Sequence, residues 1–323
     1  MAQNAMSIPA RLEGNGRVRK EGYLIRCQKD WQKNWKMYFI FLPVLIYYIV
    51  FMYGPMYGAI IAFKDFNPAD GIWGSPWVGW DNFIKFFDSM YFTRVISNTL
   101  IISFSTLIFG FPAPILLALL INELRSKIFT KTVQTITYLP HFISLVVVCG
   151  MIKDFTTETG VINDLISLFG GTRTTMLNDP NYFVPIYVIS DIWQGIGWGS
   201  IIYLAALSGI DAELYEAARI DGAGRWKQTL AITIPCLMPT IITMLLLRLG
   251  QMMNIGFEKI ILLYNPLTYE KADVIASFVY REGLQNFQYG YSTAVGLFNS
   301  VINFILVFGA NMLSRKLNDT SLW

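Results

Sequence analysis

Glu216 to Pro235, EAARIDGAGRWKQTLAITIP, lies between two long apolar segments and is too polar to continue either of them. Its spacing predicts a short helix, a glycine break and a second helix. Asp211 or Ser208 can cap the first helix, because a short oxygen-bearing side chain accepts from the free amides of a first turn. Leu214, Ala217, Ala218 and Asp221 then share one face. Gly222 and Gly224 end the helix by taking up backbone conformations that other residues resist. Small alanines on that face let another protein surface approach closely.

The flanking segments set the class of the molecule. The 323 residues are 54% hydrophobic and 15% charged, with a mean hydropathy of +0.44. That is too apolar for a water-soluble domain of this length, so the chain must be solvated by lipid. Cys27, Cys149 and Cys236 are far apart and show no CxxC or CxH spacing. Neither a zinc site nor a disulfide framework is supported, and membrane burial accounts for two of them. His141, the one histidine, follows Pro140 in an apolar run and reads as a packing residue rather than a metal ligand or base. A net charge of +3 is small, and the basic residues are spread along the chain rather than gathered into a nucleic-acid patch.

Six segments approach or exceed the roughly 20 apolar residues needed to cross a hydrocarbon core. They are Met37 to Phe63, Val95 to Ile121, Thr132 to Ile152, Tyr182 to Leu207, Leu230 to Met253 and Thr293 to Leu313. Helices are expected throughout, because lipid cannot satisfy backbone polar groups. Only the fourth and fifth spans hold a charge, Asp191 and Arg248 respectively. The expected fold is therefore an all-α membrane protein of six transmembrane helices.

Charge asymmetry orients it. With the N-terminus inside, sixteen of the 25 Lys and Arg fall in cytoplasmic segments, eight of them in residues 1–36. Longer outer loops share eight, so both termini are expected in the cytoplasm. The basic arm 1–36 lacks the apolar core and cleavage site of a signal peptide and is expected to stay on the mature protein. A single membrane domain, residues 37–313, follows it and contains the loop 208–235, with a cytoplasmic tail at 314–323. Two outer loops carry structure: Lys64 to Arg94, aromatic and with a short helix at Asp81–Phe87, and Glu258 to Tyr291, with a turn at Asn265-Pro266 and a helix from Ala272 to Leu284.

The row Glu216, Ala217, Ala218, three residues, Gly222, nine residues, Ile232, one residue, Ile234, Pro235 resembles the EAA loop of ATP-binding-cassette (ABC) import permeases of type I. Ile234 stands where the family usually has leucine, a volume-conserving change. Two further stretches narrow the resemblance. YGPMYGAIIAFKDFNPADGIWGSPWVGWDNF, Tyr53 to Phe83, is similar to the first outer loop of the branch that handles oligosaccharides and polysaccharides, and FVYREGLQNFQYGYSTAVGL, Phe278 to Leu297, to carbohydrate permeases generally. Within that branch the chain resembles permeases that import alginate and other uronate-containing saccharides.

The resemblance implies a non-catalytic transport subunit of the bacterial inner membrane. It implies a second homologous permease, two ATPase subunits that bind ATP and Mg²⁺, and an extracytoplasmic binding protein that delivers the saccharide, docking on outer segments such as Glu258 to Tyr291. No cofactor is expected on this chain, because nothing in it matches the G-x-x-x-x-G-K-[ST] phosphate cradle. The ATPase-coupling residues implied are Leu214, Glu216, Ala217, Ala218, Asp221, Gly222, Ala223 and Pro235. Glu216 can hold the loop by accepting from local amides, Arg219 or Arg225.

A saccharide pathway needs hydrogen-bonding side chains beside aromatic platforms. On span four, Asp191, Gln194 and Trp198 share a helix face, with Trp193 on a neighbouring stripe, while Gly195, Gly197 and Gly199 permit close backbone approach. The same face can equally be a helix contact with a buried polar anchor. Arg248 lies thirteen residues beyond Pro235, about 20 Å along a helix, where it can pair with Asp191, snorkel, or meet a uronate carboxylate. Asn254, Asn299 and Asn303 are further candidates, with interhelical hydrogen bonding as the alternative. Two other readings stay open: a permease of the same architecture for a non-sugar solute, and a membrane enzyme using Asp191 as a base. The second lacks a clustered histidine, metal-ligand or nucleophile constellation.

Overall fold

A computed structural model describes residues 23–318, and every regular element among them is helical. Arg11, Arg17, Arg19 and Lys20 of the basic arm and the last five residues of the tail lie outside the described residues. Backbone contacts separate two units, Met1–Ala59 and Ile60–Trp323. In the first, the described chain is helical and leads into α1 (Asp30–Phe63), an apolar helix long enough to span a membrane.

The second unit holds the rest. A short α2 (Asp81–Phe87) sits where the aromatic loop predicts it, and α3 (Phe92–Asn122) is the next membrane-length helix. The segment expected as one span from Thr132 to Ile152 is instead two helices, α4 (Lys127–Phe142) and α5 (Leu145–Phe155), bent by 99°. Pro140 tightens the end of α4 into a 3₁₀ turn, Ile143 is extended, and the Ser144 hydroxyl accepts from Val147 N–H to cap α5. A helix that is capped afresh has no reason to continue the old axis.

Beyond α6 (Val161–Leu168), the 29-residue α7 (Pro180–Ser208) runs through the middle of the unit and is bent by 70° from α8 (Ala212–Ile220). Then come α9 (Arg225–Gly250), α10 (Phe257–Leu263), α11 (Ile275–Tyr280) and α12 (Tyr289–Asn318). Among the described residues four helices have the length and apolarity of a span, and up to six if each bent pair counts as one.

Three prolines inside these long helices share a device. π-turns at Tyr48–Tyr53, Thr106–Gly110 and Thr229–Thr233 end two residues before Pro55, Pro112 and Pro235 respectively. Proline lacks an N–H and its ring clashes with the carbonyl four residues earlier. Widening the preceding turn moves that carbonyl aside, so each helix continues through its proline.

Apolar helices gain little by leaving lipid for one another, so small residues and polar ties do much of the specifying. A side chain at Gly197 would lie 2.0 Å from the Thr137 carbonyl oxygen, so α7 and α4 touch backbone to backbone there; Gly199 meets Pro114, whereas Gly195 faces open space. Near the Pro180 end of α7, a core of Phe183, Tyr187, Val188, Ile260 and Leu263 closes the packing with Ile102 and Cys149. A second core joins Phe86, Val95, Phe278 and Val295.

Between them sits a charge knot. Fully buried Asp273 accepts from Arg94 at 2.9 Å, from Arg281 at 2.8 and 3.1 Å, and from Ser277 at 2.9 Å. Burial disfavours the Arg281 charge, but the hydrogen bonds and charge of Asp273 outweigh it and raise its pKa above the ordinary arginine value. Because Asp273 and Val274 are extended around this knot, the expected helix from Ala272 begins only at Ile275.

Candidate functional site

The polar loop is built closely along the lines its sequence predicts. Asp211, not Ser208, caps α8 by accepting from Glu213 N–H at 3.0 Å. At the other end Gly222 has φ +74°, Gly222 N–H reaches the Arg219 carbonyl at 3.0 Å and Ala223 N–H reaches that of Ala218 at 2.8 Å. That pair of bonds is a Schellman turn, which satisfies carbonyls the helix end would otherwise leave free. Leu214, Glu216, Ala217 and Asp221 are exposed, while Ala218 and Tyr215 are half-buried on the inward side. Arg225 pairs with Glu123 at 3.5 Å rather than with Glu216.

Pro235 does not begin a new element. The second loop helix is the first part of α9, continuous from Arg225 to Gly250. The Tyr215 hydroxyl lies 2.9 Å from the Thr233 hydroxyl, which ties α8 to the start of that rod. Beside the loop is a cavity of about 670 Å³ lined by Glu123, Arg125, Tyr215, Arg219 and Gln228 among others.

Farther along the same two helices, Asp191 of α7 meets two cations. Its carboxylate is 4.0 Å from the Arg248 guanidinium on α9 and 3.6 Å from the Lys259 ammonium on α10. Both distances exceed the hydrogen-bonding range. Asp191 and Arg248 are 39% and 49% exposed, but the Lys259 side chain is only 4% exposed. Lys259 donates to the Tyr187 carbonyl at 3.1 Å and sits 4.5 Å from the centre of that ring. Burial pulls its pKa below the ordinary lysine value, and Asp191 works in the opposite sense.

Two cavities of about 220 Å³ each flank the ion group. The first is lined by Ser103, Thr106, Tyr187, Gln194, Gln251, Asn254 and Lys259 together with Asp191 and Arg248. The second is lined by Gly110, Pro114, Gly195, Gly199, Tyr203 and Met244, and again by Asp191 and Arg248. The Asp191–Arg248 pair is thus the shared wall between a polar chamber and a more apolar one.

The sequence candidates divide around this wall. Asp191, Gln194, Arg248 and Asn254 come together, and Gln194 also donates to the Ile143 carbonyl freed at the α4–α5 break, at 3.4 Å. Asn299 and Asn303 each donate to Asn254 Oδ1 at 3.1 Å, and Asn303 accepts from Met253 N–H at 3.0 Å, an interhelical tie that fixes the end of α9 against α12. Trp198 lies apart, stacked on His141 at 4.6 Å. Trp193 faces an apolar cavity of about 500 Å³ with Ile189, Ile186 and Val148. The stripe that faces the chambers is Tyr187, Asp191, Gln194, Gly195 and Gly199, so the aromatic platforms expected beside Asp191 are elsewhere. Lys259 is the residue that sequence reasoning missed; its signal was a lone cation in the apolar run IGFEKIILL.

Residues 110–319 match the family described as Binding-protein-dependent transport system inner membrane component. The chain is 44% identical to Protein LplB of Bacillus subtilis (strain 168), over 89% of this chain and 91% of that one. It is 43% identical to the Polygalacturonan/rhamnogalacturonan transport system permease protein YteP of the same organism, over 89% and 90%. Among solved structures, a chain of a bacterial ABC transporter involved in the import of the acidic polysaccharide alginate superposes with TM-score 0.84 at 47% identity, covering 91% of this chain and 99% of that one. A chain of the alginate transporter in complex with a periplasmic protein carrying alginate pentasaccharide gives 0.85 at 46%, over 92% and 100%. An exposed, capped polar loop, apolar helices of membrane length and these matches agree: the chain belongs to the family of binding-protein-dependent transport system inner membrane components.

Proposed function

We propose that this chain forms half of the translocation pathway of an ATP-driven importer for acidic oligo- or polysaccharides, alginate and other uronate-containing chains among them. The observation that carries the reading is mechanical: α8, which carries Glu216, is tied to α9 by the Tyr215–Thr233 contact, and α9 together with α7 carries the Arg248–Asp191 wall between the two chambers. A push on Leu214, Ala217 and Asp221 passes through the Gly222 turn and the Tyr215–Thr233 contact into α9, which runs unbroken to Arg248. The likeness to alginate and polygalacturonan systems supports the substrate class, and cations beside a polar chamber of about 220 Å³ suit a uronate.

The working complex pairs this chain with a second homologous permease in the bacterial inner membrane. Two separate ATPase subunits bind ATP and Mg²⁺ and receive α8, with Glu216, Ala218, Gly222, Ala223 and Pro235 shaping the docked loop. A binding protein docks on the opposite side. The bent pair α4 and α5 counts as one span and the 29-residue α7 as another without α8, giving six, with both termini cytoplasmic as the Lys and Arg distribution favours. Asn299 and Asn303 hold Asn254 at the pathway, whereas Trp193 and Trp198 pack away from it. This chain performs no catalysis itself.

Uptake of a labelled oligouronate by proteoliposomes of the complete complex, with binding protein outside and ATP and Mg²⁺ inside, tests the reading. ATP-dependent accumulation is expected. Accumulation of a neutral oligosaccharide or an amino acid, with none of the oligouronate, would overturn the substrate class.

A further inference from the structure

Among the described residues, a carboxylate faces two cations in two clusters, and they are built differently. Asp273 is fully buried and is held at 2.8–3.1 Å by Arg94 and Arg281. Those are charge-assisted hydrogen bonds, and the knot is closed. Asp191 is 3.6 Å from Lys259 and 4.0 Å from Arg248, is partly exposed, and lines a chamber. Its cations are matched to it in sign but not in distance.

Charge adds a second argument. One carboxylate against two cations leaves a formal surplus of +1, and an unbalanced charge away from water is costly. At Asp273 the surplus is relieved by exposure of Arg94, 30% of whose side chain reaches the surface. At Asp191 the Arg248 side chain is 49% exposed, which relieves that cation, and the one left away from water is Lys259, 4% exposed, with the Tyr187 carbonyl and ring as its other partners. Something anionic that enters the polar chamber would complete the count. Ser103, Thr106, Gln194 and Gln251 line the same chamber and offer hydrogen bonds to hydroxyls.

We propose that Lys259 and Arg248 form a carboxylate subsite for the passing saccharide, and that Asp191 is a resident stand-in for the substrate carboxylate, holding the two cations in place when the chamber is empty. A uronate carboxylate binds between Lys259 and Arg248, and Asp191 yields or shares them. Loose contacts suit this role, since a tight pair would have to be broken on every passage. The inference rests on the acidic-saccharide reading above.

Equilibrium binding of a labelled uronate tetrasaccharide, and of its carboxyl-reduced neutral counterpart, to the complete complex in lipid nanodiscs tests it. Lys259→Gln is expected to lower the acid-over-neutral affinity ratio at least fivefold, and Lys259→Arg to keep it within that margin of wild type. Asp191→Asn is expected to tighten binding of the acidic probe at least threefold, because the competitor for the cations is gone. A cluster with a merely structural role moves both variants in the same, weakening direction. A ratio changed less than fivefold by Lys259→Gln would overturn the subsite, and no tightening in Asp191→Asn would overturn the stand-in. Wild-type complex that prefers the neutral probe, or binds neither, sinks the acidic-saccharide reading itself and this inference with it.

Discussion

Gly195 and Gly197 are two residues apart on α7 and make opposite demands. A methyl group on Gly197 would fall 2.0 Å from the Thr137 carbonyl oxygen, so backbone rather than a pliant side chain would have to move; at Gly195 there is open space. Gly197→Ala is expected to cost about 1–3 kcal/mol or more through overpacking. Gly195→Ala should be neutral or stabilising by about 0.5–1 kcal/mol from helix propensity. Melting temperature and monodisperse yield in detergent distinguish the two. Gly222 makes a third kind of demand, because its φ of +74° is the left-handed region. Gly222→Ala should cost about 1–2 kcal/mol, while Gly222→Pro also deletes the amide bonded to the Arg219 carbonyl. The proline variant is expected to insert normally and to lose saccharide-stimulated ATP hydrolysis and uptake in proteoliposomes; unchanged coupling would remove Gly222 from the mechanism. Gly222 was legible in the sequence because a glycine after a capped helix has a local meaning. Gly195 and Gly197 were not separable there, since helical spacing names a face but not what stands opposite it.

Elements transmit what residues hold. The Tyr215–Thr233 contact at 2.9 Å joins α8 to α9 across the Schellman turn, and removing one hydroxyl costs about 0.5–1.5 kcal/mol. Tyr215→Phe should therefore lower the saccharide carried per ATP hydrolysed more than the hydrolysis rate, which paired uptake and phosphate-release assays would show. The two carboxylate clusters give a matched pair. Asp273→Asn leaves Arg94 and Arg281 without their counter-charge where α3 meets α11, and should destabilise by about 3–5 kcal/mol. Asp191→Asn touches a partly exposed group with long contacts but takes the carboxylate from the buried Lys259 ammonium, so its effect on melting should be measurable and smaller than that of Asp273→Asn. The break at Ile143 and Ser144 was hidden in the sequence. Apolarity over Thr132 to Ile152 is continuous, and a serine in such a run signals a cap only once the chain has turned.

At the scale of the whole molecule the open question is which way it faces. Cysteines introduced at Lys227 and Trp73, in a background without Cys27, Cys149 and Cys236, should be labelled by an impermeant maleimide from opposite sides, Lys227 only in inverted vesicles. Labelling of both from one side would reverse the proposed orientation. Length, apolarity and the Glu216 to Pro235 row were enough to indicate a helical membrane subunit with an exposed polar loop, because these depend on local spacing and on the solvent. Caps, the glycine turn and the α2 helix followed for the same reason. The sequence alone could pair Asp191 with Arg248 only as a suggestion, and it left Lys259, 68 residues from Asp191, among the loop charges. Tertiary structure decided that the connection after α9 folds back so that Lys259 reaches Asp191, and that Trp193 and Trp198 turn elsewhere. Contacts across such separations arise from how helices cross, and crossing depends on where small residues such as Gly197 let backbones meet.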